Sequence, residues 1–442
     1  MLSESQERML VVPRKGAEAQ VQAIFHRWGL EAAVVGRVTD DGLLRLLWRG
    51  EVAAEVPAEA LSGGAPAYSP PARRPAWLEA LHVAPLPVDL DPEAAGERLA
   101  QLLARPNLAD KAWVFEQYDT MVRTNTVVGP GSDAAVLRLP GTERGLALAI
   151  DCNSRFCYLD PRAGARLAVA ECALNLAASG ATPLAITDGM NFGNPEKPEV
   201  YWQFTQAVEG IAEACRALGT PVTGGNVSFY NESQEPGAEP AAIFPTPIIG
   251  MIGVLDDVRT AVRQHFSRAG DEIWLLGEPA GRLGGSEYWA MTAGRPLGRP
   301  ADVDLARHAR LIGLLVEAAR RGLIRSAHDV SDGGLAIACA EATWGGVGAQ
   351  VDLPALGRLD ETLFGEAPSR VLLAVDPACR ASFEALAAQH EVPAQRLGQT
   401  GGERLLLQVG GRALLDRSIH ELKRIWQEAL PARMGAAETT SR

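Results

Sequence analysis

Two stretches of this chain, nearly its whole length apart, carry one pattern without a gap. A shift of 362 positions (366 minus 4) places Glu4 on Glu366, Arg8 on Arg370, Leu10 on Leu372, Gly36 on Gly398 and Leu43-Leu44 on Leu405-Leu406. Met9-Leu10-Val11 falls on Val371-Leu372-Leu373, and Val21 and Ile24 fall on Phe383 and Leu386. An internal repeat restricts the fold more than any local propensity does. Each copy reads as a β-α-β-β unit: an apolar run (9–12; 371–375), an amphipathic helix (17–28; 378–390), a short strand up to the glycine, then a further strand (43–48; 405–409). The later copy closes a longer domain, whereas nothing in the sequence precedes the earlier one. A layer without its leading strands exposes an apolar edge, so Met1 is expected to lie inside an ancestral domain that begins elsewhere.

Between the copies the chain divides by composition. Residues 62–80, with Gly63-Gly64-Ala65-Pro66 and Pro70-Pro71, read as a linker, and Pro85, Pro87 and Pro92 prolong it before a helix over 92–104. Residues 112–258 alternate strands and helices. A second α/β unit occupies 259–430, and 431–442 reads as a disordered tail.

Charge and cysteine usage exclude some classes. The formal charge is −12, with no lysine or arginine run. Nucleic acid needs a basic face, so it is not an expected partner; small phosphorylated ligands remain open, because backbone N–H groups hold them locally. No stretch approaches the roughly 20 apolar residues that span a bilayer. Residues 1–10 show no signal-peptide pattern. The six cysteines form no C-x-x-C pair, which fits reduced thiols and a cytoplasmic location.

Several polar, glycine-rich stretches carry chemical content, each with a bland reading beside it. Gly129-Pro130-Gly131-Ser132-Asp133 lets backbone approach a ligand and sets an aspartate where a divalent cation could sit; a tight Asx turn explains it as well. A strand over 146–151 ends in Asp151-Cys152-Asn153. The alanine-rich helix 165–179 reads as core packing or a partner face, with Asn175 its polar exception. Residues 185–195, Thr187-Asp188-Gly189 and Asn191-Phe192-Gly193-Asn194-Pro195 among them, read as a ligand loop before a helix over 198–218. In 221–231 a strand enters a Gly224-Gly225 turn, where consecutive N–H groups could form an anion nest; Asn226 offers a carbonyl to a hard cation and Ser228 a hydroxyl. Downstream stand Gly284-Gly285-Ser286-Glu287-Tyr288 and Ser326 to Gly334, where Ser331 or Asp332 is expected to cap a helix starting near Leu335, or the glycine pair to admit a phosphate. No Walker A sequence, G-x-S-x-G elbow or H-E-x-x-H motif occurs.

Together these stretches resemble one family. Val122-Arg123-Thr124-Asn125-Thr126, Gly131-Ser132-Asp133-Ala134-Ala135, Asp151-Cys152-Asn153-Ser154-Arg155, Ser179-Gly180-Ala181-Thr182-Pro183, Gly224-Gly225-Asn226-Val227-Ser228 and His328-Asp329-Val330-Ser331-Asp332-Gly333-Gly334 look like the synthetase subunit of phosphoribosylformylglycinamidine synthase. The resemblance implies an α+β fold: aminoimidazole ribonucleotide synthetase-like N-type (112–258) and C-type (259–430) domains, preceded by the tail of a first C-type domain (1–61) and a linker with lead-in helix (62–111). It implies a purine-biosynthetic ligase that uses ATP, Mg2+ and glutamine-derived ammonia to convert formylglycinamide ribonucleotide to formylglycinamidine ribonucleotide. By resemblance, Glu4, Ser5, Gln6 and Ser228 contact substrate, Asp188 and Gly225 contact ATP, and Asn226 is a magnesium ligand. The implied partners are the N-terminal half of the synthetase, a glutaminase subunit and a small third subunit. By resemblance, the family's catalytic histidines lie in the first N-type domain and before it, a region not expected in this sequence, so no catalytic residue is assigned. The alternative is a catalytically incomplete fragment acting as a binding or structural half.

Overall fold

The structure, a computed structural model, describes residues 8–234, 237 and 240–435. It forms two units, residues 1–69 and 70–442.

In the first unit, helix α1 (Glu18–Arg27) precedes a hairpin of β1 (Leu43–Trp48) and β2 (Glu51–Pro57). These elements follow the expected pattern. The apolar runs at 9–12 and before Gly36 do not form strands, and none of the described residues of this unit is buried.

The second unit opens with α2 (Trp77–His82), α3 (Ala95–Leu103) and the short α4 (Ala112–Phe115). Next come β3 (Thr126–Val128), β4 (Ala135–Arg138), β5 (Gly145–Asp151), α5 (Ser154–Leu159), α6 (Pro161–Ala178), β6 (Thr182–Asn191), α7 (Pro198–Leu218), β7 (Val222–Ser228), the small pair β8 (Glu232–Ser233) and β9 (Ala241–Ala242), and β10 (Thr246–Leu255). The large strands form one sheet in the order β3-β4-β5-β10-β6-β7. Helices α6 and α7 cover one face of it. They approach closely because Gly210 has no side chain: a Cβ there would stand 2.2 Å from the Arg162 carbonyl oxygen. The opposite face leaves Leu148, Ile150, Leu184 and Ile248 exposed.

The chain continues through β11 (Glu272–Leu276), α8 (Glu287–Ala293), α9 (Leu305–Arg320), β12 (Ser326–Asp329), α10 (Gly334–Ala342), β13 (Ala349–Leu353), α11 (Leu359–Phe364), β14 (Val371–Val375), α12 (Arg380–Gln389), β15 (Ala394–Thr400), β16 (Arg404–Val409), β17 (Arg412–Ser418) and α13 (Ile419–Arg433). Its sheet runs β12-β14-β11-β15-β13-β16-β17. This sheet is covered on both faces, by α3, α8, α10 and α13 on one side and α9 and α12 on the other. The C-terminal helix runs three residues past the expected boundary at 430.

The stretch read as linker is ordered from residue 70 onward. Arg73 N donates to Pro198 O at 3.0 Å, and Gly298 N to Leu81 O at 2.9 Å. His82 Nε2 lies 2.7 Å from Leu159 O, and Arg358 donates to Pro87 O at 2.8 Å. Helix α3 buries Leu99, Leu102 and Leu103 in the core of the seven-stranded domain.

Candidate functional site

Residues 182–191, expected as a loop beyond residue 185, form a ten-residue strand, and Gly224-Gly225 lies within β7 rather than at a turn. Neither glycine takes a positive φ, and the strand runs parallel to β6 with Asp188 opposite Gly225, Gly189 opposite Asn226 and Asn191 opposite Ser228. The anion nest is therefore absent: the ladder, not a concave turn, sets these N–H groups. The glycine serves close approach instead, since a Cβ at Gly225 would stand 2.2 Å from Asp188 Oδ1. Burial raises the Asp188 pKa. Ser228 ends the strand in a turn held by Asn231, whose Nδ2 donates to Ser228 O at 2.8 Å. Asp188, Gly225, Asn226 and Ser228 thus lie on the last two strands of the sheet, Asp188 and Gly225 toward its helix-covered face and Asn226 and Ser228 toward the open one. Glu4, Ser5 and Gln6 lie outside the described residues.

A second constellation lies between the two domains of the larger unit, around a cavity of about 150 Å³ lined by Asp151, Asn153, Glu171, Asp332 and Glu366. Beside it, Asp133 Oδ1 lies 2.7 Å from His328 Nδ1, and Asp133 Oδ2 accepts from Asp329 N at 3.1 Å. His328 Nε2 lies 3.0 Å from Glu341 Oε2. Burial alone would lower the His328 pKa, but the Asp133 and Glu341 carboxylates outweigh it and hold the imidazolium well above its ordinary range. Burial also pushes Asp133 up to about 6 and Glu366 up to about 8, and raises Asp151 and Glu171 well above ordinary carboxylates.

The expected helix cap takes another form. Asp332 accepts from Asn153 Nδ2 at 2.7 Å and pairs with Arg155 instead of capping α10. Glu366 Oε1 occupies that helix start, accepting from Gly333 N at 2.7 Å and Glu287 N at 2.8 Å. Arg155 reaches across the domain boundary to Glu287 at 2.7 Å. The buried oxygens Asp329 Oδ2 and Glu366 Oε2 have no hydrogen-bond partner among the described residues, and ligand atoms of Asp133, His328 and Asp329 fall within 4.8 Å of one another. Carboxylate oxygens crowded out of water suit a hard divalent cation, so Asp329 and the cavity carboxylates fit Mg2+, whereas His328, held as an imidazolium between Asp133 and Glu341, has no lone pair to offer.

Sequence reasoning missed Glu171, Glu366 and the interdomain role of Arg155. The available signals were a carboxylate inside an alanine-rich helix, four residues before Asn175, and the repeat itself. At the offset of 362, residues 4–6 correspond to Glu366, Ala367 and Pro368, all three of which line the cavity.

Residues 131–255 match the N-terminal domain of AIR synthase related protein, and residues 1–49 and 268–409 match its C-terminal domain. The chain therefore belongs to the AIR synthase-related family, with both copies of the repeat on the C-terminal domain. Within that family it is similar to phosphoribosylformylglycinamidine synthase subunit PurL. It is 52% identical over 435 residues to PurL of Moorella thermoacetica, covering 98% of this chain and 59% of that protein. The chain thus spans about three-fifths of the length of such relatives. Thermotoga maritima PurL complexed with FGAR has the same fold, at a TM-score of 0.59 and 20% identity over 74% of this chain and 53% of that one. The same protein complexed with ATP matches at a TM-score of 0.57 and 23% identity, over 90% and 56%. Among the described residues, no helix is long and apolar enough to cross a membrane.

Proposed function

We propose that this chain is the nucleotide-binding later half of an ATP-dependent carbon–nitrogen ligase that converts formylglycinamide ribonucleotide to the amidine, with glutamine-derived ammonia, in purine biosynthesis. The observation that carries this reading is the parallel register of β6 and β7, which brings Asp188, Gly225, Asn226 and Ser228 together on the last two strands of the sheet. The PurL relatives, one of them complexed with ATP and with FGAR, support it. In the reaction, the substrate amide oxygen takes the γ-phosphoryl group of ATP, leaving ADP, and ammonia then displaces phosphate at that carbon. Such transfers depend on position and charge. Asp188 is placed to accept from a nucleotide hydroxyl or amine, Gly225 leaves room for it, and Ser228 can donate to substrate. Mg2+, held by Asp133, Asp329 and the cavity carboxylates, or by Asn226 as the family resemblance has it, would neutralise phosphate charge. The partners proposed are a first synthetase half, which would cover the exposed face of the six-stranded sheet, a glutaminase subunit and a small third subunit.

The test mixes this chain with a separately expressed first half, formylglycinamide ribonucleotide, ATP, Mg2+ and ammonium. ADP and amidine should form in equal amounts only when both halves are present, and Asp188→Asn should slow both. ATP binding with no amidine from an assembled pair would refute the enzyme reading and leave a binding half.

A further inference from the structure

His308 on α9 is fully enclosed, yet it makes two directional contacts. Its Nε2 lies 2.8 Å from the carbonyl oxygen of Ala170 on α6, and its Nδ1 lies 2.8 Å from Ser369 Oγ. A carbonyl can only accept, so Nε2 carries the proton and Nδ1 accepts from the Ser369 hydroxyl. One neutral tautomer satisfies both partners. Burial holds the imidazole pKa down to about 4, which keeps that tautomer near neutral pH.

Both partners adjoin walls of the acidic cavity. Ala170 immediately precedes Glu171, and Ser369 immediately follows the Glu366-Ala367-Pro368 stretch. Ser369 is a non-glycine residue at a φ of 62°, a conformation that persists only where its surroundings hold it. Apolar packing by Leu167, Ala170 and Val303 would fill space around α6, but packing alone does not orient a loop. Two hydrogen bonds from one rigid ring do.

We propose that His308 is a positioning residue for the acidic cavity, a strut that holds Glu171 of one domain and Glu366 of the other in register for a shared divalent cation. This rests on the reading of the cavity as a magnesium site.

The test is a Mn2+ titration of the full chain followed by electron paramagnetic resonance, with thermal unfolding measured in parallel. The wild type should take up Mn2+ that Mg2+ displaces, and Glu171→Gln with Glu366→Gln should abolish uptake. His308→Leu should weaken it by roughly 10- to 100-fold, and His308→Gln, whose amide can still donate to Ala170 and accept from Ser369, should recover it to within about threefold. Ser369→Ala, which removes one arm with little change of volume, should weaken it to an intermediate degree. Wild-type Mn2+ affinity in His308→Leu, or equal loss in the Leu and Gln variants, overturns the strut. Should His308→Leu fail to fold, unchanged affinity in Ser369→Ala overturns it. No Mn2+ uptake by the wild type removes the cavity reading and the strut with it.

Discussion

Residues 18–57 and 380–418 are two renderings of one pattern. Helix α1 falls on α12 residue for residue at the offset of 362, and the hairpin β1-β2 falls on β16-β17 within one residue. Yet α12 buries Phe383, Leu386 and Ala387, while α1 buries nothing. The difference lies in β11. In the larger unit it runs between β14 and β15 and pairs with both. The corresponding stretches of the first unit have no strand between them among the described residues, and they form no ladder. A helix closes its hydrogen bonds within itself and a hairpin within one turn. A strand that pairs across long sequence separation exists only when its partner is there.

The comparison can be broken most decisively by amide hydrogen exchange. Amides of residues 372–374 should be protected ~10,000-fold or more relative to those of 10–12, since core strands open only with the domain. Equal protection in the chain alone would end the argument. Matched truncations come next. Leu386→Ala should cost about 2–5 kcal/mol by chemical denaturation, whereas Ile24→Ala, at the equivalent position but 54% exposed, should stay within ~0.5 kcal/mol.

A smaller contrast lies inside β7. Gly225→Ala meets Asp188 backbone and side chain and should destabilise by about 1–3 kcal/mol, with weakened ATP binding by calorimetry. Gly224→Ala meets nothing within 4 Å and should be close to neutral. A further effect, spread over a pH range, is on pH dependence. His308 has its pKa lowered from 6.5 to about 4 by burial, so below pH 6.5 the unfolded chain binds the extra proton first. Stability from this group is complete above pH 6.5 and falls as pH drops toward 4, by at most about 1.4 kcal/mol per pH unit. His308→Gln should remove that component from the acid limb of the unfolding curve.

The juxtaposition of Asp188 with Gly225 and of the neighbouring Asn226 and Ser228 was legible because these residues lie in two short stretches close together in the chain. Their backbone form was misread. Gly-Gly suggested a turn, but a parallel partner strand flattened it, and the glycine's purpose is room for Asp188. The acidic cavity was hardly legible, because Asp133, Glu171, Asp329 and Glu366 come from four separate segments and converge only where the two domains meet.

By itself, the sequence determined the repeat, the helices, the hairpins, the family and the residue types on β6 and β7, because these depend on periodicity and on contacts a few positions apart. Tertiary structure alone decided which apolar runs became strands, which glycines faced a carboxylate, and where buried charges gathered. Those outcomes turn on partners hundreds of residues away, and on water being excluded once they meet.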